Sequence, residues 1–263
     1  MHTASQLCEF LDAFAPPELA ADWDNVGLLV GDRAQRVERL MTCLTITPAA
    51  AAEAIRQRAD LIVTHHPLPF HAFKRLTTDE PGGRILLDLI RAGVAIHSPH
   101  TAFDSAAAGI NQQLAEGLGL VEIEPLEPAV TGPLALGTGR CGKFPQPTTL
   151  GQAAARLKQF LRITGLFVVG NPQMPVERAG IACGAAGEML HQAIQRKCQL
   201  FVTGETHLHV GYDAIARGMG MLLAGHFASE RFGVDRLAEI LAAQFPTLTV
   251  WASRDERDPF TWS

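Results

Sequence analysis

The chain has 263 residues, 47% of them hydrophobic, and a formal net charge of -5. That is enough apolar surface for one large domain or two ordinary ones, yet runs such as "LFVVG" and "MLLAG" fall far short of the roughly 20 residues of a membrane span. No run of Lys or Arg offers the positive stripe that would neutralise phosphates, which makes nucleic acid an improbable partner. Five scattered cysteines (Cys8, Cys43, Cys141, Cys183, Cys198) without a CxxC pair argue against a disulfide framework or a thiolate zinc site and fit a reducing cytoplasm.

The first 14 residues place Leu7, Phe10, Leu11 and Phe14 at helical spacing, with Thr3 and Gln6 positioned as a capping box. With no basic start or cleavage site, the stretch reads as a folded helix and not as a signal. Residues 37–64, "VERLMTCLTITPAAAAEAIRQRADLIVT", align without a gap on residues 176–203, "VERAGIACGAAGEMLHQAIQRKCQLFVT", at an offset of 139. Each copy predicts an apolar strand, a turn, an alanine-rich helix and a second strand. Fully apolar strands imply parallel pairing with both faces covered. The similarity resumes at 91–104, "RAGVAIHSPHTAFD", and 217–230, "RGMGMLLAGHFASE", each with a strand ("GVAIH", "MGMLLAG") preceded by a helix ("GRILLDLIRAG", "VGYDAIARG"). The fold class expected is α/β, two similar domains from an internal repeat, each a βαβαβ layer.

Between the copies, a Gly- and Pro-rich stretch over residues 116–149 carries no long helical period and predicts an interdomain crossing made partly of short strands, with a boundary near residue 127. The domains expected are 1–127 with 232–263, and 128–231. Within the stretch "GTGRCG" matches GxGxxG by letters, but Pro145 and Pro147 argue against the helix that a dinucleotide site needs.

The strand "LIVT" ends at His65-His66, where Pro67 stops it, and ligands of open parallel sheets gather at such strand ends. Adjacent residues there point in opposite directions, so two neighbouring ions could take one ring each. His226 and Glu230 are four residues apart at a predicted helix start, where they can converge on one ion, and His100 with Asp104 repeats the spacing. Imidazole and carboxylate donors without sulfur suit zinc, iron, manganese, cobalt or nickel. His2, His191, His207 and His209 fit hydrogen-bonded structural roles, His207 and His209 being the better functional candidates because they follow a repeated strand. Two further stretches have a functional and a plain reading. The turn "CGAAGEML" (183–190) could receive a phosphate or merely close a strand-to-helix connection, and 71–83 could be a lid carrying His71 and Lys74 or a solvated crossover.

Taken together and in order, "DWDNVGLLVGD", "VTHHPLPF", "HTAFD", "TGETHLH" and "GHFASE" resemble the GTP cyclohydrolase 1 type 2 homologue family of Nif-three-like dinuclear-metal proteins. The resemblance spans nearly the whole chain, and "DPFTWS" (258–263) looks like the family's C-terminal strand. It implies two α/β domains facing a cleft with two divalent ions, and a homohexameric toroid. It also implies the metal ligands His65, His66, Asp104, His226 and Glu230, with His100 close by. The short 105–175 connection resembles the compact form of the family. The activity implied is a hydrolase whose metal-activated water attacks GTP, another nucleotide or a related small heterocycle, with His100 and Glu230 as catalytic groups and Glu230 as the bridging ligand. The rival reading is a non-catalytic metal-delivery or regulatory protein, which needs the ligands but no positioned acid or base.

Overall fold

A computed structural model describes residues 2–129 and 136–261. A two-residue strand β1 (His2–Thr3) leads into α1 (Ala4–Phe14), followed by β2 (Gly27–Val30), β3 (Arg36–Val37), β4 (Arg39–Cys43), α2 (Pro48–Arg56), β5 (Leu61–Thr64), α3 (Pro81–Arg91) and β6 (Ala95–Ser98). The chain continues through α4 (His100–Ser105), α5 (Ile110–Gly117), β7 (Val121–Glu124), β8 (Glu127–Pro128), β9 (Gly137–Thr138), β10 (Arg140–Thr149), α6 (Leu150–Leu161) and β11 (Phe167–Val169). The remaining elements are β12 (Pro175–Ala182), α7 (Leu190–Gln195), β13 (Leu200–Thr203), α8 (Leu208–Ala216), β14 (Gly220–Leu223), α9 (His226–Gln244) and β15 (Thr249–Ala252). None of the described helices is long and apolar enough to cross a membrane. Two compact units result: Met1–Phe103 with Gly233–Pro259, and Asp104–Phe232 with the residues from Phe260.

In the first unit a five-stranded sheet runs in the order β15-β4-β5-β6-β2, parallel except for the antiparallel edge β2. Every residue of β5 and β6 is buried, as the two-sided apolar strands predict. Met41, Cys43, Ile62 and Ile96 of the sheet cluster with Ala50, Ala51 and Ala54 of α2 and Leu86 and Leu89 of α3. The alanines let α2 approach closely, and each large side chain in the cluster contributes roughly 2 kcal/mol by leaving water. Thr47 caps α2 through its hydroxyl, and Pro48 takes the first helical position, where no N–H is needed. The predicted capping box at Thr3 and Gln6 is present on α1. Glu53 is charged yet buried in α2. It accepts hydrogen bonds from Trp251 Nε1, Ser253 Oγ and the N–H groups of Arg254 and Asp255, which ties the helix to the segment after β15.

The second unit holds a six-stranded sheet in the order β11-β14-β13-β12-β10-β7, where β12, β13 and β14 are parallel and the other pairings antiparallel. The strand-helix-strand-helix-strand order expected for both halves is thus present in each unit. The boundary differs from the one expected near residue 127. It falls after Phe103, because α5 packs on β10 and β12, and β7 pairs with β10, so 104–127 is built into the second sheet. The Gly- and Pro-rich stretch is correspondingly more regular than a crossing. The ten-residue β10 tolerates Pro145 and Pro147 because its register with β12 shifts between Lys143 and Thr148. Residues 130–135 of that stretch lie outside the described residues. The "GTGRCG" letters serve structure: Gly139 takes φ +62, and the buried Arg140 guanidinium donates to the carbonyls of Gly137, Gly139, Ser105 and Ala106 and to Gln112. The strand expected over 258–263 is absent from its described part, 258–261; Trp262 and Ser263 lie outside the described residues, and the last described strand is β15.

Candidate metal centre

In the first unit β5 delivers His65 and His66 at its carboxyl end, and α4 opens with His100. Backbone hydrogen bonds from His65 N to Cys43 O and from His66 N to Leu44 O extend the ladder past the strand, which sets the directions of the two rings. The ring centroids of His65 and His66 are 5.1 Å apart, those of His65 and His100 5.1 Å, and those of His66 and His100 5.6 Å. One nitrogen from each imidazole lies within 4.8 Å of the others, a spacing that a metal ion can close. Two of the rings are oriented from behind. His66 Nδ1 hydrogen-bonds Thr45 Oγ1 at 2.7 Å, and Thr45 is itself fixed where its N–H and that of Leu44 donate to the buried Glu256 carboxylate. His100 Nδ1 meets Asp24 Oδ1 at 2.7 Å, and the N–H and hydroxyl of Thr101 bind the other Asp24 oxygen. Burial alone would raise the Asp24 carboxyl. The hydrogen bonds from His100 and Thr101, the His100 charge and the Asn25 N–H outweigh it and hold the carboxyl down at about 2. His100 occupies φ +26, an uncommon conformation for a side-chain-bearing residue, and these contacts hold it there.

In the second unit the loop after β12, the loop after β13 and the start of α9 meet. His226 Nε2 lies 3.2 Å from Glu230 Oε2, and its Nδ1 lies 2.7 Å from Glu205 Oε1. The hydrogen bond to Glu230 raises His226 to about 9 against the effect of burial, with the charges of Glu230 and Glu205 adding to it. Asp104 Oδ1 accepts from the Cys183 thiol at 3.1 Å. Burial first, then the charges of Asp104 and Glu230, push that thiol well above its ordinary range, so Cys183 stands as a hydrogen-bond donor to the carboxylate. Gly184 at φ +66 explains the absent side chain in the turn: a Cβ there would come within 2.3 Å of Glu230 Oε1. The same glycine donates its N–H to Ser229 Oγ, which braces the first turn of α9.

The donors fit divalent metal. They are imidazole nitrogen and carboxylate oxygen, with the nearby sulfur held as a thiol, a set suited to zinc, iron, manganese, cobalt or nickel. The structure brings His65, His66 and His100 together in one unit, and Asp104, His226 and Glu230 around Cys183 and Gly184 in the other. Asp24, Thr45, Glu205 and Cys183 were not singled out from sequence, although Asp24 stands in "DWDN" and Glu205 in "TGETHLH". Residues 71–80 are exposed throughout, with His71 edge-on to Phe70 at 4.4 Å. His207 and His209 stack at 5.6 Å and line a cavity of about 470 Å³ with Ala185, Gly187, Glu188 and Glu205.

The family model described as Duf34/NIF3 (NGG1p interacting factor 3) matches residues 2–259. The chain belongs to the DUF34/NIF3 family. It is 31% identical to a GTP cyclohydrolase 1 type 2 homolog of Streptomyces coelicolor over 99% of this chain and 94% of that relative. A protein of the same name from Clostridium acetobutylicum is 31% identical over 85% and 84%. Among solved NIF3-like folds, the Staphylococcus aureus hypothetical protein SA1388 superposes with a TM-score of 0.91 at 26% identity, covering 99% of both chains. The expected resemblance and the α/β fold class hold.

Proposed function

We propose that this NIF3-family chain is a dinuclear-metal-dependent hydrolase that adds water to a nucleotide or related heterocycle, with His65, His66, Asp104, His226 and Glu230 as the ligands of two divalent ions. The reading is carried by one observation: three candidate imidazoles each have Nδ1 held by a partner, Thr45 for His66, Asp24 for His100 and Glu205 for His226. Such partners fix the ring and its tautomer so that Nε2 is presented to a ligand. Bound divalent ions would supply Lewis acidity and an activated water near neutral pH. His100 is proposed to hold and move protons at Nε2, since the contact of its Nδ1 with Asp24 fixes the orientation of the ring. Glu230, within reach of His226 and walled by Gly184, would help hold the ions and is the proposed acid–base carboxylate. The family's curated relatives carrying the name GTP cyclohydrolase 1 type 2 homolog support a purine nucleotide as the first substrate to try. A homohexamer in the cytoplasm, without nucleic-acid or membrane partners, completes the proposal.

The test is incubation of metal-loaded protein with GTP and other nucleotides, following ring opening and formate release beside Glu230→Gln. Turnover that disappears in Glu230→Gln supports hydrolysis. Full metal occupancy with no turnover of any nucleotide rejects it in favour of metal delivery or regulation, a role in which the positioned His100–Asp24 pair would have no task.

A further inference from the structure

Trp23 lies in a β-turn closed by the hydrogen bond from Asp24 N to Ala21 O. It is 63% exposed, while the carboxylate of the next residue, Asp24, is fully buried against His100 and Thr101. Two further bonds pin the turn: Ala21 N donates to Thr101 Oγ1 at 3.0 Å, and Asn25 Nδ2 donates to Pro69 O at 2.7 Å, which brings Phe70 alongside. Three rings meet edge to face as a result. The centroids of Trp23 and Phe70 are 6.0 Å apart at 60°, those of Trp23 and His100 5.9 Å at 71°, and those of Phe70 and His100 6.2 Å at 85°. Phe70 is exposed as well. An indole left mostly in water forgoes the gain of burial. This one stands against His100, one ring nitrogen of which lies within 4.8 Å of those offered by His65 and His66.

We propose that Trp23, with Phe70 beside it, is the stacking platform for the planar base of a nucleotide; this rests on the reading above in taking a nucleotide as the ligand of the candidate metal centre. A base lying on the indole at van der Waals distance, roughly 3.5 Å, comes beside the His100 imidazole. One turn then serves both tasks: Trp23 holds the heterocycle and Asp24 holds His100. The hydrogen bonds of residues 21–25 to Thr101, His100 and Pro69 set the platform before a ligand arrives, which lowers the ordering cost of binding. Every base has a π face, so stacking accepts purines and pyrimidines alike. The platform therefore sets affinity for a base and leaves the choice among bases to polar groups elsewhere.

The experiment titrates the zinc-loaded full chain with GTP, ATP, CTP and ribose 5-triphosphate, which carries the phosphates without a base. Tryptophan emission is read before turnover accumulates, and equilibrium dialysis gives the affinities. All three nucleotides are expected to quench the emission, and ribose 5-triphosphate is not. Trp23→Ala should weaken the three nucleotides by about tenfold or more while the affinity for ribose 5-triphosphate stays the same. Trp23→Phe should restore most of that affinity and still lack the quenching. Should Trp23→Ala fail to fold, the contrast between GTP and ribose 5-triphosphate in the unaltered chain, with Trp23→Phe beside it, decides. Equal weakening of ribose 5-triphosphate would confine Trp23 to placing His100 and overturn the proposal. So would nucleotides that bind no tighter than ribose 5-triphosphate, or emission that follows protein concentration and not nucleotide, the mark of a contact between copies. Quenching and base-dependent affinity without turnover of any nucleotide would reject the hydrolase and leave the platform; turnover with a base affinity indifferent to Trp23 would do the reverse.

Discussion

At the scale of single residues, the candidate donors stand out in the chain because histidines and carboxylates follow apolar strands and open helices. Their supports were not legible. Thr45 lies 21 positions from His66, Asp24 lies 76 from His100, and Glu205 lies 21 from His226, distances over which no local period carries a signal. Replacing Glu205 by Gln or Thr45 by Val should therefore weaken metal affinity about 10- to 100-fold while the unfolding transition stays close to that of the unaltered chain. Competition with a chelator of known affinity reads this out, and unchanged affinity in both variants would reject the positioning role. Gly184→Ala places a Cβ within 2.3 Å of Glu230 Oε1 at a backbone φ of +66. Loss of bound metal is expected there together with a lowered denaturation midpoint, since about 1 kcal/mol or more of backbone strain adds to the clash. Full metal content in Gly184→Ala would show that Glu230 can move without consequence.

Elements with strong periodicity were read well, since strand and helix patterns of 2 and 3.6 residues rest on burial that both units supply. The parallel strands β4, β5, β6, β12, β13 and β14 and the helices between them lie where the aligned stretches put them. What escaped was β10, because two prolines mask a strand whose register shift accommodates them, and β15, whose partner β4 lies more than two hundred residues earlier in the chain. Glu53 was equally hidden in an alanine-rich helix. Burial works against its charge, but hydrogen bonds from Ser253, Arg254, Asp255 and Trp251 outweigh it and hold the carboxyl below its ordinary 4.5. A depressed folded pKa means that this contribution is present above pH 4.5 and is lost as the pH falls through the lowered value. Glu53→Ala should cost about 3 kcal/mol near neutral pH, because four donors lose a buried acceptor, and the difference from the unaltered chain should shrink in acid. Chemical denaturation at several pH values checks both statements; a difference independent of pH across the acid range would remove the charge from the explanation.

For the molecule as a whole, the α/β class and the division into two units were legible, but residues 104–127 read as the end of the first domain until the packing of α5 on β10 and β12 and the pairing of β7 with β10 are seen. Assembly is the least legible level, because an interface between copies leaves no period in the chain. A hexamer is expected on family grounds, and sedimentation at micromolar concentration should give a single species of six chains; a monodisperse monomer would remove any mechanism that needs an enclosed cavity. The five residues His65, His66, Asp104, His226 and Glu230 are proposed to hold two divalent ions. Elemental analysis of purified, folded protein tests it most directly, with the His65→Ala plus Glu230→Ala double variant run alongside. Up to two transition-metal ions per chain are expected in the unaltered protein, with their stoichiometric loss in the folded double variant. Metal content that survives the double change would contradict it.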